Sequence, residues 1–298
     1  MDLGYLLQQL INGLILGSMY ALVAIGFSMI YGIVKLINFA HGDIVMIGAF
    51  TTLALMETAG LPFPLVASCV LFTGCAMGIL IERTSFRPMR GAPQVTGFIA
   101  SLGVSIMIQN FGILTLSAQP RNFSFPDYMQ TMLNLGPASF RVVDLVIFLT
   151  AIVLMVTLMF LVKKTKLGMA MRATAENIDV ARMMGININK TIMATFAIGS
   201  GLAGIAGLMW GGKFGQIDPL MGFVPGLKSF VAAVIGGVGS IPGAILGGFI
   251  LGFSEVLFVG LLPPIYSSYR DAFVFGTLII ILIILPNGLL GKDMEDRV

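Results

Sequence analysis

Two glycine-rich stretches of the sequence have the spacing of nucleotide-binding motifs. Gly199 to Gly204 reads G-x-G-x-x-G, which binds dinucleotides when it follows a strand and opens a helix. Gly207 to Lys213 reads G-x-x-x-x-G-K, the start of a phosphate-binding loop, but Phe214 stands where Ser or Thr should meet magnesium. Both stretches lie in a long apolar segment, so we interpret their glycines as helix-packing residues. We therefore predict no nucleotide site in this chain.

Metal-binding and nucleophilic side chains are scarce. His41 is the only histidine, and it lies with Asn38 and Asp43 just after the first apolar run. Cys69 and Cys75 share one apolar stretch without further ligands at metal-binding spacing, so we predict neither a metal site nor a disulfide. His41 has two interpretations, a group that orders the loop or part of a solute pathway. Asp43 is expected to cap the following helix.

A few polar side chains fall inside segments that are otherwise apolar. Glu255 lies several residues from either end of such a segment, where an ionisable group must face protein or water. We interpret it either as a pathway residue or as a buried hydrogen-bonding group. A second polar feature repeats every four residues, which places its members on one helix face. Its members are Gly97, Ser101, Ser105 and Gln109, with Asn110 alongside. This stripe either pairs helices or lines a pathway.

These groups belong to a chain with the composition of a membrane protein. Of its 298 residues, 57% are hydrophobic and 10% are charged, whereas soluble domains have about 25% charged residues. The mean hydropathy is +0.98 and the net charge is only +3. Since a bilayer core needs about 20 apolar residues per helix, we predict an all-α, polytopic bundle of about eight spans in a single domain over residues 1–298. The predicted spans lie near residues 10–33, 43–59, 63–81, 95–117, 142–162, 191–211, 229–261 and 271–287.

The apolar region 229–261 is too long for one straight helix and contains an interruption. Its helix-breaking residues are Gly236, Gly237, Gly239, Pro242 and Gly243. Proline removes a helical hydrogen bond and clustered glycines disfavour helix. We therefore expect two segments, 229–238 and 242–261, joined by either a re-entrant turn or a tight cytoplasmic loop.

The positions of Lys and Arg predict the orientation. Basic residues concentrate in the loops 82–94 and 163–190, and cytoplasmic loops are rich in such residues. An even number of spans separates these loops, so both are assigned to the cytoplasm and the N-terminus to the outside. The first apolar run is too long for a signal peptide and is expected to be a mature span. The tail with Lys292 and Arg297 is then cytoplasmic if region 229–261 enters and returns on one side.

The loop 163–190 contains a short amphipathic pattern. Residues 175–184 are predicted to form a helix, with Glu176 and Asp179 near the N-terminal end that favours acidic groups and Gly185 as its stop. The predicted apolar face consists of Ile178, Ala181 and Met184, bordered by Val180 and Met183. This loop is either a solvated connector or, because its methionines would otherwise face the cytosol, a helix that docks into a groove of a partner.

Asp179 to Gly185 resembles the Glu-Ala-Ala-x-x-x-Gly loop of bacterial ABC importer permeases, in which this loop is the coupling helix that enters a cleft of the ATPase. Two positions differ, Asp179 for Glu and Val180 for Ala, and the Ile-x-Leu-Pro ending is missing. Further segments resemble the branched-chain amino-acid permease family of these importers, most closely its H-type subunit, over nearly the whole chain. They are Ile37–Asp43, Ala175–Gly185, Gly236–Gly243 and Pro286–Gly291. The resemblance assigns ATPase coupling to Glu176, Asp179, Ala181, Arg182, Met183, Met184 and Gly185.

The resemblance implies a multi-pass permease of the bacterial inner membrane that moves branched-chain amino acids by alternating access. It implies a second permease subunit, usually non-identical, two ATPase subunits that bind ATP and Mg, and a periplasmic binding protein. The chain itself is then not an enzyme and holds no cofactor. The candidate pathway residues are Asn38, His41, Ser101, Ser105, Gln109 and Glu255.

Three alternatives stay open at this point. Close relatives import urea or short amides, so the substrate is less secure than the family. An ion-coupled secondary transporter or channel would need no ATPase, but it should contain more intramembrane carboxylates than Glu255. A membrane-embedded enzyme would need a catalytic cluster, and the sequence contains neither a His-Glu-x-x-His motif nor any second histidine.

Overall fold

The structure, a computed structural model, describes residues 3–291 and is mainly helical. Its helices are α1 (Leu3–Val34), α2 (His41–Ala59), α3 (Phe63–Ile81), α4 (Gln94–Leu116), α5 (Asp127–Gln130), α6 (Val142–Lys164), α7 (Lys166–Glu176), α8 (Ile178–Met183), α9 (Ile188–Phe214), α10 (Phe223–Gly236), α11 (Ile241–Leu261) and α12 (Arg270–Ile284). A π-helical turn, Glu82–Phe86, extends α3, and a 3-10 turn, Pro264–Tyr269, precedes α12. Two short antiparallel ribbons pair β1 (Arg121–Asn122) with β4 (Gln216–Ile217) and β2 (Met132–Leu135) with β3 (Ala138–Arg141).

Seven helices within residues 3–291 are long and apolar enough to cross a membrane. They are α1, α3, α4, α6, α9, α11 and α12, the last together with most of the preceding 3-10 turn. The predicted all-α polytopic bundle is therefore confirmed. The other two predicted membrane segments differ. Helix α2 carries Asp43 and Glu57 and is not among the seven, and α10 has only 14 residues. At about 1.5 Å per residue, α10 is shorter than a bilayer core.

The chain separates into two compact units, each built from discontinuous ranges. The first unit takes its described residues from the ranges 1–25, 125–153 and 228–298. The second unit contains residues 26–124 and 154–227. The assignment of residues 1–298 to one permease domain stays a prediction. The predicted cytoplasmic tail residues Lys292 and Arg297 lie outside the described part of the chain.

In the second unit, α9 packs closely against α2 and α3. Glycine permits this approach, because a β-carbon on Gly207 would overlap the carbonyl of Val45 and one on Gly48 would overlap the carbonyl of Gly204. Small residues at such crossings let helix backbones come together in lipid, where apolar side chains gain little by leaving the solvent. Both nucleotide-like glycine motifs therefore serve helix packing, as predicted, since they lie within one buried helix.

In the first unit, α1 and α11 meet through a matching set of small residues. A β-carbon on Gly17 would lie 2.9 Å from the Cα of Phe249, and one on Gly252 would overlap the backbone of Gly17. A β-carbon on Gly248 would lie 2.5 Å from the Cα of Ala21. The four-residue spacing of small residues in α1 therefore produces a flat helix face against which a second helix can pack.

The predicted break between α10 and α11 is confirmed. Gly237 and Gly239 have φ values of 103° and 89°, in the left-handed region that favours glycine. Ser240 caps α11 by accepting a hydrogen bond from the amide of Gly243 at 3.1 Å, and Pro242 occupies the first turn. The two helices then run side by side, because Gly236 lies against Gly243.

The segment after α12 forms hydrogen bonds with the end of α10 at this break. The amides of Leu289 and Leu290 donate to the carbonyls of Ile235 and Gly236, each at 2.9 Å. These carbonyls belong to the last turn of α10, where helical partners are missing. The Pro286–Gly291 segment therefore satisfies polar groups that the α10–α11 break leaves open, with Gly288 in a left-handed conformation at φ 73°.

We expect Gly207→Ala to lower the unfolding temperature, because the added carbon would overlap the carbonyl of Val45. Overpacking of this kind costs about 1–3 kcal/mol. Gly103→Ala is the matched control, since this helical glycine of α4 has nothing within 4 Å of an added β-carbon. The measurement is thermal unfolding of the purified variants in detergent. Equal unfolding temperatures for the two variants would contradict the close α2–α9 crossing.

Candidate functional site

The segment predicted to couple to a partner forms two helices where the sequence predicts one. Helix α7 begins after Thr165, whose hydroxyl accepts a hydrogen bond from the amide of Gly168 at 3.1 Å. Asn177 ends α7 and caps α8, because its side-chain oxygen accepts hydrogen bonds from the amides of Asp179 and Val180, each at 3.0 Å. The prediction of one helix over 175–184 is therefore wrong, since Asn177 has an extended backbone at φ −155°.

Because the segment is divided into two helices, two predicted features lie elsewhere than expected. Glu176 is the last residue of α7, so it does not lie in the first turn of the next helix as predicted. Ala181 is buried, whereas Val180, Met183 and Met184 are 53%, 82% and 78% exposed. The exposed apolar surface therefore differs from the predicted face of Ile178, Ala181 and Met184, because Ala181 is buried and Ile178 is half-buried. We call Val180, Met183 and Met184 the α8 apolar tip.

The predicted end of α8 is confirmed. Gly185 has φ 82°, and the amide of Ile186 donates to the carbonyl of Ala181 at 3.0 Å, which closes the helix as a left-handed C-terminal cap does. Asp179 and Arg182 form an ion pair at 3.8 Å. Both side chains are exposed, so this pair adds little stability and remains accessible to a partner.

Helices α7 and α8 both pack against α9, so the segment predicted to couple to a partner contacts a helix that is long enough to span the membrane. A second connection to α9 was not predicted from the sequence. Arg90 donates hydrogen bonds to Glu82, in the π-helical turn after α3, and to Asn189, in the first turn of α9. Burial lowers the pKa of the Arg90 guanidinium while the charge of Glu82 opposes that shift, and an arginine so placed stays protonated. The two basic loops therefore meet at one end of α9.

A second candidate site is a group of charged side chains around Glu255 in the first unit. Lys228 Nζ lies 2.8 Å from Glu255 Oε1 and 2.7 Å from Asp271 Oδ1, and Arg270 Nε lies 3.1 Å from the same glutamate oxygen. The hydroxyl of Tyr20 donates to Glu255 Oε2 at 2.8 Å. Two cations and two carboxylates balance each other. We call these five residues the ion cluster.

The ion cluster has a buried side and an open side. The side chains of Lys228 and Glu255 are 2% and 5% exposed, whereas those of Arg270 and Asp271 are 46% and 48% exposed. A lone charge at the centre of a bilayer costs about 2.5–3.5 kcal/mol on insertion scales, and pairing reduces that cost. Sequence reasoning found Glu255 alone. Its partners carried a recognisable signal, because Lys228 and Asp271 are charges at the edges of apolar runs.

His41 lies in the packed interior of the second unit. It begins α2 and is fully buried, with its ring edge-on to that of Phe27 at 4.7 Å between centroids. A β-carbon on Gly26 would overlap its Nε2. The neighbouring Asn38, also buried, accepts the His41 amide through its main-chain carbonyl at 3.1 Å. These contacts agree with a group that orders the α1–α2 connection. A pathway role stays a prediction for both residues.

The predicted capping role of Asp43 is wrong. Ala40 occupies the N-cap of α2, and no side chain caps there. Asp43 is instead buried and accepts a hydrogen bond from Gln109 Nε2 at 2.9 Å, while the same nitrogen donates to Ser105 Oγ at 3.1 Å. A buried carboxylate needs a donor, and α4 supplies one across the helix interface.

The predicted polar stripe of α4 is confirmed as one helix face. Gly97, Ser101 and Ser105 are buried on that face, with Gln109 beside them. Asn110 points elsewhere, because it is exposed and donates to the carbonyl of Ile106 at 2.8 Å. The bond from Gln109 to Asp43 supports the helix-pairing interpretation, and lining of a pathway stays a prediction.

Comparison with known proteins agrees with the motifs. Residues 9–282 match the family model described as "Branched-chain amino acid transport system / permease component". The chain is 37% identical to the high-affinity branched-chain amino acid transport system permease protein BraD of Pseudomonas aeruginosa, over 100% of this chain and 99% of that protein. It is 37% identical to the corresponding protein LivH of Escherichia coli, over 99% of this chain and 98% of that protein.

A solved structure is similar in fold. PsaBC from Streptococcus pneumoniae in complex with Fab has a TM-score of 0.51 and 15% identity, and the match covers 95% of this chain and 92% of that chain. At this identity the likeness concerns the fold alone. The multi-pass helical bundle and the two full-length relatives agree with the family match. Since the family model covers most of the sequence, this chain belongs to the branched-chain amino acid transport system permease family.

Proposed function

We propose that this chain is one of two permease subunits of an ATP-binding cassette importer for branched-chain amino acids in the bacterial inner membrane. Full-length relatives whose names specify branched-chain amino acids support this substrate class over urea or short amides. The same family relationship supports a transport subunit over an ion-coupled secondary transporter or channel. The observation that carries the coupling mechanism is the exposed α8 apolar tip.

The α8 apolar tip fits a docking role for physical reasons. Val180, Met183 and Met184 expose apolar surface at the end of a helix that is capped at both ends, so the tip is presented in a fixed shape. An apolar helix face of this kind docks into a groove of a partner. Unbranched methionine side chains adapt to such a groove. The ion pair of Asp179 and Arg182 borders the tip and would provide polar contacts at its rim.

The partner that fits this site is an ATPase subunit. In the proposed complex, two ATPase subunits bind ATP and Mg, and a periplasmic binding protein delivers the amino acid. When nucleotide closes the ATPase pair, the movement reaches α8 and then α9, against which α7 and α8 pack. Arg90 would carry the same movement to α3 through Glu82 and Asn189. Through these contacts, nucleotide binding would shift the equilibrium between the outward-facing and inward-facing states of the pathway, which is alternating access.

The solute pathway is proposed to involve the polar side chains that the sequence predicts. They are Asn38, His41, Ser101, Ser105, Gln109 and Glu255. Five of them are buried in the structure. Asn38, His41, Ser101 and Ser105 lie in the second unit, so they would reach the solute only after the helices of that unit separate, whereas Glu255 lies in the ion cluster of the first unit. A conduit lined by apolar residues with a few hydroxyl and amide groups suits solutes with apolar side chains.

We expect the double substitution Met183→Glu with Met184→Glu to release the ATPase subunits from the purified complex. Each methionine that becomes buried on docking contributes about 1.5–3 kcal/mol, so the affinity should fall by at least about 100-fold. The measurement is co-purification of the ATPase with the permease in detergent. Met132→Glu is the matched control, because Met132 is 64% exposed and lies in the loop 118–141. This loop falls between the two loops assigned to the cytoplasm, one span from each, and is therefore predicted to be outside. Retention of the ATPase by the double variant would contradict the docking role of the α8 apolar tip.

Substrate class is tested with the complete complex in proteoliposomes that contain ATP on the ATPase side. We expect uptake of L-leucine to require the binding protein and ATP, and to be competed by valine and isoleucine but not by urea. Uptake of L-leucine that persists without ATP and collapses with an ion gradient would instead support the secondary transporter. Competition by urea alone would assign the chain to the other branch of the family.

A further inference from the structure

We propose that Arg270 and Asp271 form a subsite that binds the carboxylate and the ammonium group of a free α-amino acid. The inference rests on the proposed function and specifies which part of the solute is recognised. Both residues begin α12, directly after the 3-10 turn Pro264–Tyr269, and their side chains are about half exposed, at 46% and 48%. Charged groups on a membrane helix face water or a polar partner. We therefore interpret the exposed side of Arg270 and Asp271 as a place where a polar ligand binds.

Lys228 and Glu255 contact only some of the polar atoms of Arg270 and Asp271, and the remaining polar atoms are available to a ligand. Both oxygens of Glu255 are occupied, one by Tyr20 and the other by Lys228 and Arg270. Within residues 3–291, the ion pairs of Arg270 with Glu255 and Asp271 are made by Nε, which leaves its two terminal nitrogens available to a ligand. The Oδ1 atom of Asp271 is buried beside Lys228, which leaves Oδ2 as its accessible oxygen.

The open atoms match the charges of an amino acid. A guanidinium binds a carboxylate through two parallel hydrogen bonds, and a carboxylate binds an ammonium group through charge-assisted hydrogen bonds. In a free α-amino acid these two groups are attached to the same carbon. Arg270 Nε and Asp271 Oδ1 lie 3.6 Å apart, so the two complementary groups are also side by side. The pair therefore recognises the part that all α-amino acids share.

Lys228 and Glu255 act as positioning residues behind this pair. Lys228 contacts Asp271 and Glu255 contacts Arg270, so each open side chain is held by a buried group of opposite charge. Because the cluster is neutral, it attracts neither an isolated anion nor an isolated cation strongly. A zwitterion gains from both charges at once, and side chains that are already fixed lose little conformational entropy on binding.

The surroundings fit an aliphatic amino acid. The turn before Arg270 exposes Ile265, Tyr266 and Tyr269, at 76%, 48% and 60%. These side chains present apolar surface next to the charged pair, where an aliphatic solute side chain would lie. Urea has neither a carboxylate nor an ammonium group and would gain nothing from opposite charges. The subsite thus provides a physical reason for amino acids over neutral amides.

Ligand-observed saturation-transfer NMR on the nucleotide-free complex, reconstituted in lipid nanodiscs without binding protein, tests this subsite. The probes are L-leucine, leucinamide, which lacks the carboxylate, and 4-methylpentanoate, which lacks the ammonium group. We expect the wild-type complex to bind L-leucine about tenfold more strongly than either analogue, the difference that one charge-assisted hydrogen bond provides. Arg270→Gln should remove the preference over leucinamide, and Asp271→Asn should remove the preference over 4-methylpentanoate.

In this crossed pattern, each variant removes the preference over one analogue and keeps the preference over the other. A purely structural role of the two residues would instead weaken the binding of all three probes alike. Arg121→Gln and Asp127→Asn are matched controls, because both residues are exposed in the loop that is predicted to be outside, and both should bind like wild type. If Arg270→Gln does not assemble, Arg270→Lys replaces it. It keeps the charge but loses the paired hydrogen bonds, so a partial loss of preference is expected.

The subsite is overturned if the wild-type complex shows no preference for L-leucine, or if the variants weaken all probes equally. It is also overturned if the variants abolish stimulation of ATP hydrolysis by the binding protein while L-leucine binding is unchanged, because the pair then contacts that protein. ATP-driven uptake of L-leucine by the same wild-type preparation distinguishes the two proposals. If uptake occurs but the crossed pattern is absent, only the subsite proposal is contradicted. If uptake is absent, the proposed function is contradicted.

Discussion

Close approach of helix backbones through glycine is the constraint on which the structure depends. At the α2–α9 crossing, Gly48 and Gly207 lie against main-chain carbonyls of the facing helix, at distances that no side chain would permit. In lipid the hydrophobic effect gives helices little reason to associate, so van der Waals contact between closely spaced backbones has to supply the attraction. Glycine at these positions lets long helices pack side by side, and the polar groups that serve function are then placed by the packed helices.

Three buried carboxylates each have a polar partner in the structure. Asp43 receives Gln109 from α4, Glu82 receives Arg90, and Glu255 receives Lys228. A buried carboxylate without a donor would be costly, and for Asp43 and Glu255 the donor comes from a distant helix. The Asp43–Gln109 and Lys228–Glu255 contacts therefore connect helices, and the pairs with Lys228 and Arg90 also balance charge. The ion cluster differs from the other two pairs in that it continues to an open side, which is the proposed amino-acid subsite.

The coupling segment combines rigid capping with apolar exposure. Asn177 and Gly185 fix both ends of α8, so a helix of only six residues is held in one orientation despite its short length. Its exposed methionines contribute nothing to the fold of the chain alone. A stable fold that keeps such a surface exposed agrees with the proposed ATPase partner, and the packing of α7 and α8 on α9 would connect that partner to the membrane helices.

The sequence by itself determined the membrane class, the approximate spans, the α10–α11 break and the family, because hydropathy, glycine and proline act over a few neighbouring residues. It also identified Glu255 and the α4 stripe, since polar residues stand out in apolar runs. Only the tertiary structure decided which polar groups meet. Asp43 pairs with Gln109 instead of capping α2, Asn177 divides the coupling segment, and Glu255 is joined by side chains from α1, α10 and α12. Such pairings depend on how distant helices cross, and residue spacing along one chain does not contain that information.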